Sequence, residues 1–261
     1  MNLDLMPGPA SQPAGARIPW SLPPWSIFKR GAYSTLIALI LLDLLFGPFL
    51  VERGSPGSPL LTLLVFIVLF SILISGSSKK ARPIICGVFL PVLLLDHWML
   101  LQEPSTGLRL VSLAGNLLIC IATQAAVVMR LHQRTHATLD ALLGAVCVYL
   151  LIGYDFYLLY DMLELIHPGS FLILGQLLTA PGPEPHLLDC PQLLYFSFVT
   201  LTTLGYGDIA PTWSLPRSLV VIEALISQLF TAILFSILVS SYMANSWSRS
   251  FSERRTGKKS G

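Results

Sequence analysis

The sequence predicts an all-α membrane protein: six transmembrane helices, with a short re-entrant helix and an irregular segment between the fifth and the sixth. Three observations carry this prediction. First, 54% of the 261 residues are hydrophobic and 11% are charged, where an ordinary soluble domain has about 25% charged residues. That balance excludes a soluble globular protein, and the abundance of apolar residues excludes disorder. Second, six apolar segments can be marked: Ala32–Val51, Leu60–Ser75, Pro83–Leu101, Leu108–Val128, Leu139–Tyr160 and Ser218–Met243. A helix needs about 20 apolar residues to cross a bilayer. Lipid offers no hydrogen bonds to a backbone, so helix is the expected form of each segment. Third, the basic residues alternate between sides. With the N-terminus cytoplasmic, all 16 Lys and Arg lie on the inner side except Arg53, Arg109 and Arg217, as the positive-inside bias requires.

Residues 1–31 carry Pro7, Pro9, Pro13, Pro19, Pro23 and Pro24 and lack the short apolar core of a signal peptide. They read as a Pro-rich cytoplasmic tail. Residues 32–130 hold four spans joined by short connections, a four-helix peripheral membrane domain. Leu60–Ser75 is short for a span and is expected to gain a turn or to thin the bilayer locally. Asp43 falls mid-span, where a charge costs about 2.5–3.5 kcal/mol on insertion scales, and Asn116 of the fourth span is its candidate partner. Asp96 and His97 fall toward the outer end of the third span, within reach of the interface. The fourth span has Arg109 at its outer end, Arg130 at its inner end and nothing basic between. The row of positive charges that a voltage-sensing helix needs is missing, and the four spans are expected to act as a lipid-facing scaffold.

Residues 131–244 hold the last two spans and the only long outer connection, 161–217. Loops beyond about 12–15 residues in a compact protein are usually functional. Residues 245–261 form a second cytoplasmic tail. Cys86, Cys120 and Cys147 lie inside apolar segments and read as small core residues. Cys190 alone falls in a connection, so no disulfide framework is expected. A net charge of +2 without a recurring basic face gives no nucleic-acid footprint.

Inside the long connection, Pro191–Thr202 is apolar and aromatic but too short to span. Pro191 suits a first helical turn. The stretch Thr203-Leu204-Gly205-Tyr206-Gly207 follows. Irregular backbone at membrane depth has to be buried in protein or line a water-filled path. In an ordinary strand, successive carbonyls point to opposite sides. Turning them all to one side needs alternating right- and left-handed residues, and glycine at every second position reaches positive φ with little penalty. Leu204 and Tyr206 are then expected to pack backwards into protein, while Thr203 adds its hydroxyl to the row. Such a row of oxygens can replace the water shell of a bare cation.

The run Thr202-Thr203-Leu204-Gly205-Tyr206-Gly207-Asp208 resembles the signature of potassium channels, with Leu204 where the family often has Val. The resemblance covers the pore unit, about residues 138–244: outer helix, pore helix, selectivity filter and inner helix. It implies a homotetramer, since one chain supplies one filter segment. It also implies K+ bound by the carbonyls of Thr203, Leu204, Gly205 and Tyr206 with the Thr203 hydroxyl, and Gly207 completing the filter. The chain is then no enzyme and needs no cofactor beyond the permeant K+. Its partners are the lipid bilayer and its own copies, with no soluble partner evident. Its place is the plasma membrane, or the inner membrane of a bacterium, with both termini cytoplasmic. Thr202, Asp208, Tyr195 and Phe196 are the candidate filter supports. Tyr195 and Phe196 stand where many relatives carry two tryptophans, as a cuff around the filter. Val199 stands where some relatives carry a carboxylate, so no buried acid pairs with Asp208.

The candidate gating residues are Asp155, Glu223, Ser227 and Gln228. Asp155 and Glu223 should lie at similar depth. Facing each other, they would share a proton, because close carboxylates do not both ionise cheaply. The sixth span has no glycine from Ser218 to Met243. Ser227, beside Gln228, stands at the usual hinge position and can loosen a helix by bonding back to its own carbonyls. The gate is then either the filter or the inner end near Ser236–Tyr242. His132 and His136 lack the companions of a metal site, and His167 and His186 fall in the outer connection. Asp161, Glu164, Glu184, Asp189 and Asp208 fall on the outer side and would concentrate cations at the entrance. The pore helices would aim their negative C-terminal ends at a central cavity. Two rival readings are a transporter that borrows a pore loop and a non-conducting regulatory or scaffold subunit of another channel. The stretch Phe171–Leu178 would cap the pore or dip into the interface.

Overall fold

The computed structural model describes residues 25–52, 57–76, 82–99, 105–132, 139–177 and 191–257. Helices occupy all six apolar segments: α1 (Trp25–Glu52), α2 (Gly57–Gly76), α3 (Arg82–Met99), α4 (Thr106–His132), α5 (Leu139–Ile166) and, after the short α6 (Pro191–Leu201), the long α7 (Ser214–Gly257). Among the described residues, three stretches are long and apolar enough to cross a membrane: Thr106–Leu131, Ala141–Ile166 and Ser214–Ser236. The stretches Tyr33–Phe46, Leu64–Ile74 and Ile85–Asp96 are shorter.

Most helices outrun the apolar segments that announced them. The helix α1 begins at Trp25, inside the stretch read as tail, and α7 continues to Gly257, through much of the second one. Charged residues mark where the apolar surface ends, but they do not stop a helix, since Lys, Arg and Glu are good helix formers.

The core forms where α5 meets α4, α1 and α6. Over an 18-residue apolar length of α5, 67% of residues are buried, while over the same length of α7 only 11% are. The helix α5 is therefore the hub of the chain. α7 packs on α5 and α6 along one edge and leaves Val221, Leu225, Leu229, Ile233 and Phe235 exposed. At the C-terminal end of α4, Arg130 donates to the Ile72 carbonyl in the last turns of α2 at 2.5 Å. The two C-terminal ends thus lie close together, and a cation meets carbonyls at a helix end.

One element departs from an all-α prediction. Phe171–Ile173 (β1), Gln176–Leu177 (β2) and Ile209–Pro211 (β3) form a small antiparallel sheet of order β2-β1-β3. Leu174 and Gly175, with φ of 49° and 82°, make the two-residue turn between β1 and β2, since a mirror-image turn needs positive φ at both positions. The stretch Phe171–Leu178 is thereby explained as far as Leu177. It forms a hairpin that pairs with the strand that follows Asp208.

Candidate functional site

The short helix α6 opens on Pro191, where the missing N–H costs nothing. Its C-terminal end unwinds in a defined way. Thr202 N–H donates to the Phe198 carbonyl at 3.0 Å, Thr203 N–H to Thr200 at 2.9 Å, and Leu204 N–H to Val199 at 3.0 Å. The Thr202 hydroxyl adds a bond to the Phe198 carbonyl at 2.7 Å, so Thr202 serves as the cap of α6. From there φ is positive at every second residue: 61° at Thr203, 57° at Gly205 and 76° at Gly207. The alternation expected from the two glycines thus begins two residues earlier, at a threonine, where the left-handed conformation costs about 1–2 kcal/mol. A Cβ built on Gly205 or Gly207 meets no atom within 4 Å. Within one chain, backbone conformation rather than space demands glycine there.

Within a single chain the side chains between them are left bare. Leu204 is 60% and Tyr206 67% exposed, because one chain supplies nothing for them to pack against. The supports also divide. Tyr195 is half-buried, and its hydroxyl lies on the side of the Asp208 carboxylate. Phe196 turns the other way, with its ring centroid 5.4 Å from Tyr160 of α5 and 5.5 Å from Phe171 of β1. Within one chain the two adjacent aromatics thus face different partners, since neighbours on a helix point about 100° apart. The Asp208 carbonyl in turn accepts from Leu174 N–H at 2.8 Å, which ties the outer end of the segment to the hairpin.

Asp155 and Glu223 do not meet. The Asp155 carboxylate accepts from Gln124 of α4 at 2.5 Å. Glu223 is fully buried and accepts from the Tyr160 hydroxyl at 2.6 Å, with Ser197 of α6 at 2.5 Å. Sequence placed the two acids at one depth but could not give the azimuth of each on its helix. Ser227 does not bond back along α7. Its hydroxyl donates to the Leu201 carbonyl of α6, which also accepts from Tyr149 at 2.9 Å. Two hydroxyls thus donate to the last carbonyl of α6. Gln228 is exposed. Asn116 partners Asp96 rather than Asp43: its amide donates to the Asp96 carboxylate at 3.0 Å, beside Ser112. Asp96 therefore faces α4 instead of reaching for the interface.

Glu164 is not available at an entrance. It is buried and accepts from the backbone N–H of Gly169 at 2.7 Å and of Phe171 at 3.2 Å. Asp161 is buried as well. Cys190, Glu184, His136, His186 and Asp189 lie outside the described residues, as do the side chains of His97 and His132 and those from residue 237 on.

Sequence reasoning missed Gly153, Ser197, Tyr149 and Tyr160. At Gly153 an added Cβ would lie 3.0 Å from Leu201 Cδ2, so α5 and α6 touch closely there. Ser197 stood inside the motif that was read, but no pattern in one sequence tells which helix a buried hydroxyl will face.

Residues 169–244 match the family model described as ion channel. The match takes in the hairpin, α6, the alternating segment and α7 as far as Ala244, so it falls on the stretch just described. It supports an ion channel, a membrane protein of transport rather than catalysis. No curated protein and no solved structure matches the chain.

Proposed function

We propose that the protein is a homotetrameric channel that conducts K+ passively and selectively. The observation that carries this reading is the alternation of φ at Thr203, Gly205 and Gly207 beyond the end of α6. It supports a row of carbonyls from Thr203, Leu204, Gly205 and Tyr206, with the Thr203 hydroxyl, that replaces the water shell of K+. Gly207 and Asp208 close the outer end of the row. Four copies around an axis give the row its other sides. They also explain why Leu204, Tyr206 and most of α7 are bare in one chain. In this reading Ala32–Val51, Leu60–Ser75 and Pro83–Leu101 also span, giving six spans with both termini in the cytoplasm. The setting is a plasma membrane, or the inner membrane of a bacterium. α4 carries no charge between Arg109 and Arg130, so opening is not steeply voltage-dependent.

The test is ion flux from liposomes containing purified protein. A K+ gradient alone should drive a fast flux that barium blocks, Na+ should pass far more slowly, and native mass should be that of four chains. Equal passage of Na+ and K+, or a monomer in a native-like membrane, overturns the proposal.

A further inference from the structure

Two sets of hydroxyl contacts join α7 to α6, one helical turn apart on both helices. In the outer set, the fully buried Glu223 receives Tyr160 at 2.6 Å and lies 2.5 Å from Ser197. The Ser197 hydroxyl is itself 2.6 Å from the Gly153 carbonyl. In the inner set, the Leu201 carbonyl receives Ser227, and Tyr149 at 2.9 Å. Each set contains one residue of α7, one of α6 and one tyrosine of α5. Residues 197 and 201, and likewise 223 and 227, are four apart and so share a face. Tyr149 and Tyr160 are eleven apart, three turns at about 3.6 residues each, and also share one. The Tyr149 ring further stacks on Phe230 of α7, with centroids 5.9 Å apart.

We infer that Glu223 and Ser227 are positioning residues of the permeation segment: they lock the outer half of α7 to α6, so that α5, α6 and residues 223–227 move as one body. Leu201 lies two residues before Thr203, so a shift of α7 at Ser227 acts directly on the base of the carbonyl row. The sequence of α7 agrees. It has no glycine from Ser218 to Met243, and at Ser227 it carries a cross-link between helices instead of a hinge. The contacts of Glu223, Ser197 and Ser227 are buried and that of Tyr149 is partly so; there a lost partner leaves a polar group unsatisfied, so the clamp favours one arrangement over slightly displaced ones. Opening and closing then take place at the carbonyl row or below Ser227, not by bending at Ser227. This inference rests on the channel reading above.

The test is single-channel recording of reconstituted tetramers, comparing the parent with Ser227→Ala, Tyr149→Phe and Ser197→Ala. Each substitution removes one hydroxyl and none touches the ion path. Unitary K+ current should stay within about twofold of the parent. Mean open-burst duration should fall at least about tenfold, the effect of losing about one buried hydrogen bond in several subunits. The fall should differ between K+ and Rb+ as permeant ion, because the occupant braces the carbonyl row. A merely structural role would lower tetramer yield and leave the bursts of surviving tetramers unchanged. Bursts like the parent's in intact tetramers, or a shortening that ignores the permeant ion, overturn the inference. If Ser227→Ala does not assemble, Tyr149→Phe decides at the same carbonyl. A parent that carries no K+ current sinks the channel reading instead.

Discussion

Gly205→Ala isolates the backbone argument. Gly205 has φ of 57°, and a Cβ there meets nothing within 4 Å in its own chain. Crowding within the subunit therefore contributes nothing, and the left-handed conformation alone costs about 1–2 kcal/mol per residue. In a tetramer the four copies cost together about 4–8 kcal/mol, which exceeds the 1.4 kcal/mol of a tenfold change several times over. The segment should relax to negative φ, and its carbonyls should no longer share one side. In the liposome assay K+ flux should fall more than about a hundredfold. The control is Gly87→Ala, an exposed position in α3 with nothing within 4 Å of the new Cβ. It sits in a helix, where alanine is favoured by about 1 kcal/mol, and it should leave flux unchanged. Parental flux and selectivity in Gly205→Ala would refute the claim that alternating backbone handedness makes the ion path.

Other expectations follow from single contacts. Gly153→Val should destabilise the protein by about 1–3 kcal/mol by overpacking, since a Cβ alone comes within 3.0 Å of Leu201 Cδ2; a lower melting temperature in detergent checks this. Asn116→Ala takes a donor from Asp96 and should cost about 1–3 kcal/mol in the same melt. If Asn116→Ala is neutral, the α3–α4 contact is not what holds that acid. Open probability should change shallowly with voltage, because α4 carries no charge between its two terminal arginines; sigmoidal activation moving several charges would contradict this.

Much of the architecture was legible in the sequence because bilayer helices are local. Each apolar segment has to satisfy its own backbone, so helix formation at all six places followed from composition. The alternation at Gly205 and Gly207 was legible for a similar reason, being a property of residue type and spacing. Its extension to Thr203 was not, since the end of α6 holds a non-glycine residue at φ of 61°. The hairpin at Phe171–Leu177 escaped because its partner strand lies beyond Asp208 in sequence.

What the sequence determined by itself was where helices form and which residues can adopt left-handed backbone. What only the tertiary structure decided was the pairing of buried polar groups: Glu223 with Tyr160 and Ser197 rather than Asp155, Asn116 with Asp96 rather than Asp43, and Ser227 with Leu201 rather than its own helix. Composition and depth set how far along a helix a side chain sits. Packing alone sets the rotation of that helix against its neighbours, and a buried polar group bonds with whatever that rotation brings within reach.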